Sequence, residues 1–580
     1  MGMEQTRYLD PVVELQIREV TDDIEGEAVV NDLLELAAIG GKVLEPTTDH
    51  PLHIAANRLA LTPADVEGRQ FVKQRMHQAG MDVLDDHPLA LIGMYPGQYE
   101  ELEPVVAMSH TDSVPDGDIY DGNLGVLGAL KAMEAMHKRD IHPQRDTYVV
   151  SLSVEESSRF GSALRGSRAL FHGLTGDELD SRKGDDQSLR EALGEAGARR
   201  AGVPEFGPKG HMLPTPYAVV ELHVEQDRKL IDQGIDLGVV ESIASPVRYQ
   251  AVVGETPLRP DTRSYAHERY FRLTVHGHPD HSGATPMGAQ YRADGLLETA
   301  RFMNTLGQRR ESALAVGDIE VSQAAMNKIP GETTTMLRIA SDAEQDMREE
   351  IAMLQAHLEV RASMRAAHEL KRFPSEPYTL EEVAKEEAGI FFDPVEMSAR
   401  QRSALLFIES VNRAAQRHSM DNVVGTVASF MTAPDGTISM EVDIRGIELT
   451  SRDRTVMQLR RAMRQNMDAF GLPRSVSVNL GEPLPGSGES PVVLDTGLVS
   501  KTVDTIERFG IGSSQQMFSA AGHDTQNAAR AGIPSVMIFC QSRDGIAHNP
   551  EAFTSPDNIR KGVQAQAALL LRLANEVPEF

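Results

Sequence analysis

The chain has 580 residues, enough for two or more domains with sizeable cores, and its 41% hydrophobic and 25% charged content is ordinary for a globular protein. A formal net charge of −29 excludes nucleic acid and anionic membrane surfaces as partners, since both demand positive charge. The single cysteine, Cys540 within VMIFC, excludes an intramolecular disulfide and points to a cytoplasmic chain with a buried strand thiol. No apolar run approaches the roughly 20 residues that span a bilayer, and no signal-peptide pattern is present. The opening MGMEQT formally fits a myristoylation pattern at Gly2; without a second anchoring signal it reads as a start-codon artefact.

In chain order, a helical stretch EGRQFVKQRMHQAG leads to a short apolar strand, PVVAM at 104–108, and a helix beginning near Gly125. TYVVSLSV, the helical QSLREALGEAG and YAVVELHV continue the alternation. Such alternation predicts an α/β catalytic domain, a mainly parallel sheet with helices on both faces. From about 247 to 480 the pattern changes to long charged helices and two-sided strands such as YFRLTVHG and ISMEVDIRG, which predicts an inserted α+β domain. From about 491 the first pattern returns, with TGLVSKTVDTIERFG, SVMIFC and a closing helix NIRKGVQAQAALLLRLANE. The expected division is therefore 1–246, an insert at 247–480, and 481–580.

The insert contains an internal similarity. RADGLLETARFMNTLGQRRESALAVGDIEV, from Arg292, resembles RQRSALLFIESVNRAAQRHSMDNVVGTVAS, from Arg400. Each is a helix and a strand, and each is followed by a further strand and charged helix. Two tandem copies, 247–375 and 376–480, are expected; the plainer alternative is two unrelated helix–strand pairs.

Polar clusters follow the strands. HTDSVPDGDIYDGNLGV places His110, Asp112 and Asp121 after the first strand; SLSVEESSRF places Glu155 and Glu156 after the second. VVELHVEQ carries His223, Glu225 and Gln226, and VMIFCQSRDGIAHNPEAF places His548 in a loop after a strand. The carboxyl edge of an α/β sheet is where such folds bind ligands. Three histidines and several carboxylates meeting there suit zinc, manganese or cobalt, whereas calcium prefers oxygen alone. Taken singly, a strand-end histidine is more often structural and a Glu pair more often solvated surface. Asp112 can accept the second imidazole N–H of His110 and orient it. In the Glu-Glu pair, one carboxylate can bind metal while the other moves a proton.

Taken together, HTDSVPDGDIYDGNLGV, EESSRFGS, ELHVEQ, HSGATPM, NKIPG, DIRG, SAAGHDTQ and GIAHNPE resemble, in order, the M20 metallopeptidase superfamily. They are most similar to its amidase branch of N-carbamoyl-L-amino-acid hydrolases, allantoate amidohydrolases and β-ureidopropionases. The resemblance implies a catalytic domain with an inserted ferredoxin-like lid and two divalent cations. His110 and His223 would serve one ion, Glu156 and His548 the other, with Asp121 bridging. Glu155 matches the general base and His281 the lid histidine that steadies the oxyanion, while Gln226, Asn327, Arg445 and His523 match substrate-side positions. Arg445 would grip a substrate carboxylate through a bidentate pair.

Four departures stand out. Members usually carry two glycines before Tyr-Asp-Gly, where this chain has Asp116 and Asp118 around one glycine; ELHVEQ usually continues Gly-Pro, here Asp227-Arg228. The residue thirteen after Asn327 is Ala340 rather than arginine, and Asp-Ile-Arg occurs instead at Asp443 to Arg445. The chain also exceeds a usual member by about one lid. These features predict either one polypeptide with two lid copies imitating a dimer's shared site, or a homodimer with an insertion. The expected activity is metal-dependent hydrolysis of a linear amide or ureido bond in a small carboxylated substrate, with a dipeptidase or aminoacylase as the alternative. A catalytically dead scaffold would have lost a ligand or the base, and all are present; no G-x-S-x-G elbow supports serine chemistry.

Overall fold

The structure, a computed structural model, describes residues 9–576 except 47–52, 162, 183–186, 199–205, 208–212, 255–264, 288–291, 307–312, 323, 325–327, 368–376, 388–393, 420–421, 434, 470–475, 477, 485–486 and 488. It divides into two units: residues 1–244 with 491–580, and residues 245–490.

The centre of the first unit is four adjacent strands, Ser535–Cys540, Ala218–Val224, Val105–His110 and Thr147–Leu152, all running the same way. Every residue in these strands is buried, which is why they read as mostly apolar runs rather than alternating ones. Antiparallel strands complete the nine-stranded sheet: Ala90–Tyr95 and Asp82–His87 on one side, Leu237–Ile243 and Val492–Val493 on the other. Ser514–Ser519 adds a further parallel pairing with Leu237–Ile243.

Successive side chains of a strand face opposite ways, and here they enter two separate cores. Val105, Ala107 and Leu222 pack with Leu127 and Leu569 of the helices Asn123–Lys138 and Pro556–Ala574. Val106, Met108 and Val219 pack with Leu170 of the helix Arg165–His172 and Leu193 of the helix Leu189–Glu195. The sheet is thus mainly parallel at its centre and covered by helices on both faces. Its parallel strands all end at one edge, and the polar clusters follow those ends.

The second unit holds two four-stranded antiparallel sheets. One has the order Ala313–Val321, Glu332–Ser341, His267–His276, Tyr378–Val383; the other Val424–Thr432, Ile438–Gly446, Ser245–Val253, Val478–Leu480. Helices Gly295–Leu306 and Glu344–Ala367 connect strands of the first, Pro394–Arg417 and Leu449–Ala469 those of the second. Each set runs strand, helix, strand, strand, helix, strand, and each sheet is ordered second, third, first, fourth. The sets are nested rather than consecutive, a correction to the tandem order 247–375 and 376–480. Ser245–Val253 pairs along its whole length with Ile438–Gly446, so the inner set, 267–383, lies between the first strand and first helix of the outer one. The repeat was read from helix–strand pairs, which do not reveal which earlier strand each pair adopts. Leu273, Leu337 and Phe302 of the inner set share one core with Phe407, Val442 and Ile444 of the outer set.

Candidate metal centre

His110 is the last residue of its strand, His223 the penultimate residue of its own, and Glu155 and Glu156 follow Leu152; His548 lies in the loop after Cys540. Five side chains from these segments form two overlapping groups able to hold a metal ion, His110–Asp121–His223 and Asp121–Glu156–His548, all buried and with ligand atoms within 4.8 Å of one another. His110 Nε2 and His223 Nε2 lie 3.2 and 3.0 Å from the same Asp121 Oδ1. His548 Nε2 lies 3.2 Å from Asp121 Oδ2 and 3.2 Å from Glu156 Oε1.

The donor set tests its own fit to a cation. His110 Nδ1 is 3.0 Å from the backbone oxygen of Asp112, and His223 Nδ1 is 2.9 Å from that of Val224. A carbonyl only accepts, so both Nδ1 atoms carry the hydrogen and both Nε2 lone pairs face Asp121. Two lone pairs and a carboxylate oxygen aimed at one point repel unless positive charge lies between them. The residues present fit divalent metal.

In the metal-free molecule protons on the histidines supply that positive charge instead. The carboxyl of Asp121 is held well below the usual range: burial opposes ionisation, but His223, His110 and His548 outweigh it. His548 is lifted to about 10, because Glu156 and Asp121 overcome the burial that would lower it. Burial, aided by the neighbouring Glu156 and Asp524, pushes the Glu155 carboxyl well above its ordinary value, whereas Glu156 is lowered because His548 outweighs burial. Without a metal, two adjacent carboxyls thus differ in the direction of their shift. Glu155 Oε2 stands 3.9 Å from His110 Nε2, outside both ligand groups.

Asp112 does not play the expected part. Its carboxylate is 3.8 Å from His110 Nδ1, which its backbone carbonyl serves instead. The turn after His110 folds the carboxylate back towards the neighbouring strand, where Oδ1 and Oδ2 accept the backbone N–H groups of Glu155 and Glu156 at 3.2 and 3.1 Å. Asp112 therefore fixes the Glu pair and the histidine together. Arg58, fully buried, supports the same turn, donating to Thr111 O, Leu36 O and the side-chain oxygen of Asn123.

Gly122 precedes the helix Asn123–Lys138 at φ 65°, and a Cβ there would lie 2.4 Å from His110 Nε2. Asp118 Oδ1 accepts the N–H groups of Tyr120 and Asp121 at 2.8 Å each, and its Oδ2 accepts that of His548 at 2.9 Å. Gln226, expected on the substrate side, donates its amide to Asp121 Oδ2 at 2.6 Å. His523 packs edge-on against the His223 ring at 4.6 Å between centroids, with Nε2 2.9 Å from Ser519 Oγ.

Arg58 and Glu221 escaped the sequence reading, and Asp118 was singled out there without a role. Glu221 accepts Ser109 Oγ and the N–H and Oγ1 of Thr525, steadying the strand beneath His223. Strand alternation was the available signal, since residues 221 and 223 share a face.

In the second unit, His281 Nδ1 accepts the N–H groups of Gly283 and Ala284 at 3.2 and 2.8 Å, so the hydrogen is on Nε2. Arg445 lies against that turn: a Cβ on Gly283 would meet its Cδ at 2.4 Å. Its Nε and Nη2 both donate to Asp443 Oδ2, so this edge is already engaged and a carboxylate would take the Nη1–Nη2 edge. Asp443 Oδ2 also accepts Ser282 Oγ, and buried Arg292 donates to Ser282 O, Thr285 O and Thr426 Oγ1. Asn327 lies outside the described residues.

A model of peptidase family M20/M25/M40 matches residues 106–572, spanning every residue of both ligand groups. The chain belongs to this family. Among curated members it is 28% identical over 332 residues to the N-carbamoyl-L-amino acid amidohydrolase of Geobacillus stearothermophilus, covering 57% of this chain and 72% of that one. It is 25% identical over 527 residues to the allantoate amidohydrolase of Bacillus subtilis, covering 89% and 92%. A crystal structure of AtUAH in complex with (S)-hydroxyglycine shares the fold, with a TM-score of 0.60 at 20% identity over 96% of this chain and 100% of that one.

Proposed function

We propose that this chain is a binuclear-metal amidohydrolase cleaving a linear amide or ureido C–N bond in a small carboxylated substrate: an N-carbamoyl-L-amino acid, ureidopropionate or an allantoate-like ureide. One observation carries the reading. Asp121 presents its two carboxylate oxygens to two separate donor groups, while Glu155 stands beside them, 3.9 Å from His110 Nε2, with no place in either group.

His110 and His223 would hold one ion, Glu156 and His548 the other, with Asp121 shared. Zinc or manganese, with cobalt as a substitute, suits this donor set. Divalent cations held there supply Lewis acidity towards a carbonyl and acidify water. Glu155 takes the proton of the attacking water at its carboxylate and later delivers it to the leaving nitrogen. Asp112 keeps Glu155 in place through its backbone N–H. In the second unit, His281 Nε2–H is the donor for the developing oxyanion and Arg445 the partner for a substrate carboxylate. Gln226, Asn327 and His523 are assigned to the substrate side.

Substrate loss followed by mass spectrometry tests the reading: N-carbamoyl-amino acids, allantoate, ureidopropionate and dipeptides, each with manganese or zinc restored to stripped protein. Turnover confined to the ureides supports it. Turnover confined to dipeptides or N-acyl amino acids transfers the assignment to the peptidase or aminoacylase alternative.

A second reading concerns assembly. Ala340 and Arg445 occupy the same register position in their sheets: each pairs with the second residue of one neighbouring strand, Glu268 or Pro246, and the first of the other, Ala313 or Val424. This correspondence favours duplication, with the inner copy keeping His281 and the outer keeping Arg445. We therefore read the protein as a monomer whose two lid copies do what two subunits do in a dimer. Light scattering near 63.4 kDa is expected; twice that mass overturns the reading.

A further inference from the structure

The loop that delivers His548 has an uncommon backbone. Asp544, Gly545 and His548 all have positive φ, at 60°, 61° and 58°, a region that residues other than glycine enter uncommonly, Asp and His more readily than most, and that the surroundings help to enforce. Two parts of the chain supply that enforcement, and both coincide with the departures from the family pattern.

From one side comes Asp118. It is buried, and one carboxylate oxygen binds the backbone of the Tyr120–Asp121 turn while the other binds the backbone N–H of His548. One side chain thus sets the distance between the main chains of two ligands that would share an ion. A glycine at 118 could not do this. From the other side comes the Asp227–Arg228 turn. Arg228 Nη1 pairs with Asp544 Oδ1 at 2.7 Å, and Nη2 reaches Asp232 at 3.0 Å, tying the loop to the helix Lys229–Gln233. Gly545 lies so close to the carbonyl of Asp227 that a Cβ would come within 2.2 Å of its oxygen. Asp116, the other acid of the first departure, does none of this: it exchanges hydrogen bonds with Asn57 at 2.7 and 2.9 Å.

We infer that Asp118 and Arg228 are positioning residues that clamp the His548 loop from opposite sides, and that they set the affinity of the Glu156–His548 position more than that of the His110–His223 position, which Asp118 reaches only through Asp121. The inference rests on the two-ion reading above, and the glycine relatives usually carry at 118 would leave that position to other supports.

The test uses the full chain stripped of metal, as wild type, D118G, R228A, D116G and H548A. Manganese is titrated against a competing chelator, and hydrogen exchange is followed in the metal-free proteins. Wild type should bind two ions. D118G should weaken one of them 10- to 100-fold, the usual effect of removing a group that orients a ligand, and weaken the other by clearly less. R228A should weaken the same ion, by less, because its contact is partly exposed. The ion lost is identified as the one H548A abolishes, and D116G should retain both. Exchange in peptides covering 541–551 should accelerate in D118G and R228A and stay unchanged in D116G. Unaltered exchange there in D118G, or equal weakening of both ions, overturns the clamp. A wild type binding fewer than two ions overturns the two-ion reading instead, while the exchange measurement still decides whether Asp118 and Arg228 hold the loop.

Discussion

Replacing Gly122 by alanine adds one methyl group at the point of closest approach to the metal centre. The new Cβ would lie 2.4 Å from His110 Nε2 and 2.5 Å from both Cδ2 and Cε1 of the same ring. Ordinary heavy-atom contacts are about 3.5–4.0 Å, so the imidazole must retreat by roughly 1 Å or the turn must open. Opening is resisted by Asp118, which holds the N–H groups of Tyr120 and Asp121. The backbone adds a penalty of about 1–2 kcal/mol, since φ at 122 is 65° and alanine avoids that region. A displacement of about 1 Å in a catalytic constellation costs on the order of 10²-fold in rate, and a misdirected ligand costs 10- to 100-fold in metal affinity. G122A should therefore retain about one ion after dialysis and lose roughly two decades of kcat even at saturating metal. Metal content by mass spectrometry and steady-state kinetics on the best ureide substrate measure both. Full occupancy with kcat within 3-fold of wild type would refute the packing argument and remove His110 Nε2 from the centre.

Other expectations follow from the same geometry. Glu155→Gln should keep its metal and lose about 10²–10⁴-fold in turnover; near-normal turnover would strip Glu155 of the proton-transfer role. Arg445→Ala should raise KM for carboxylated substrates by one to two decades with a smaller change in kcat, because a charge-assisted hydrogen bond contributes about 1.5–3 kcal/mol. An unchanged KM counts against that contact. Removing metal with a chelator should lower the thermal midpoint, since an ion present at about 1,000 times its Kd stabilises the folded chain by about 4 kcal/mol. Burial pushes Asp294 up to about 6 from 3.8, so its contribution to stability is complete below about pH 4 and is lost as pH rises through 6. Asp294→Asn should flatten that decline by up to about 2 kcal/mol, read from urea midpoints at pH 4.5 and 7. Parallel pH profiles for the two proteins would contradict the sign.

The centre was legible where chemistry and chain position coincide. His110, Glu156 and His223 each close or follow a buried parallel strand, and fully buried strands announce themselves as apolar runs. What escaped acts through the main chain. Asp118 and Asp112 were visible as acids, but their work is to accept backbone N–H groups from residues 430 and 43 to 44 positions away. No local pattern encodes such a pairing. Arg58 was hidden for the same reason, binding two carbonyls and one amide oxygen far along the chain. The nesting of the two sheets was illegible because Ser245–Val253 pairs with Ile438–Gly446, a partner that its own sequence does not name.

That nesting also dictates an order of events during synthesis. Ser245–Val253 emerges from the ribosome with no sheet to join, and its partner Ile438–Gly446 follows about 200 residues later. At roughly 5–20 residues per second, the orphan strand waits on the order of ten seconds or more. Meanwhile the inner set can close upon itself, and Leu237–Ile243 must wait longer still for Ser535–Cys540. Within the second unit the inner sheet can therefore be completed before the outer one. An insertion that delays closure of the inner set should harm yield far more than one of equal length at the outer edge of the fold.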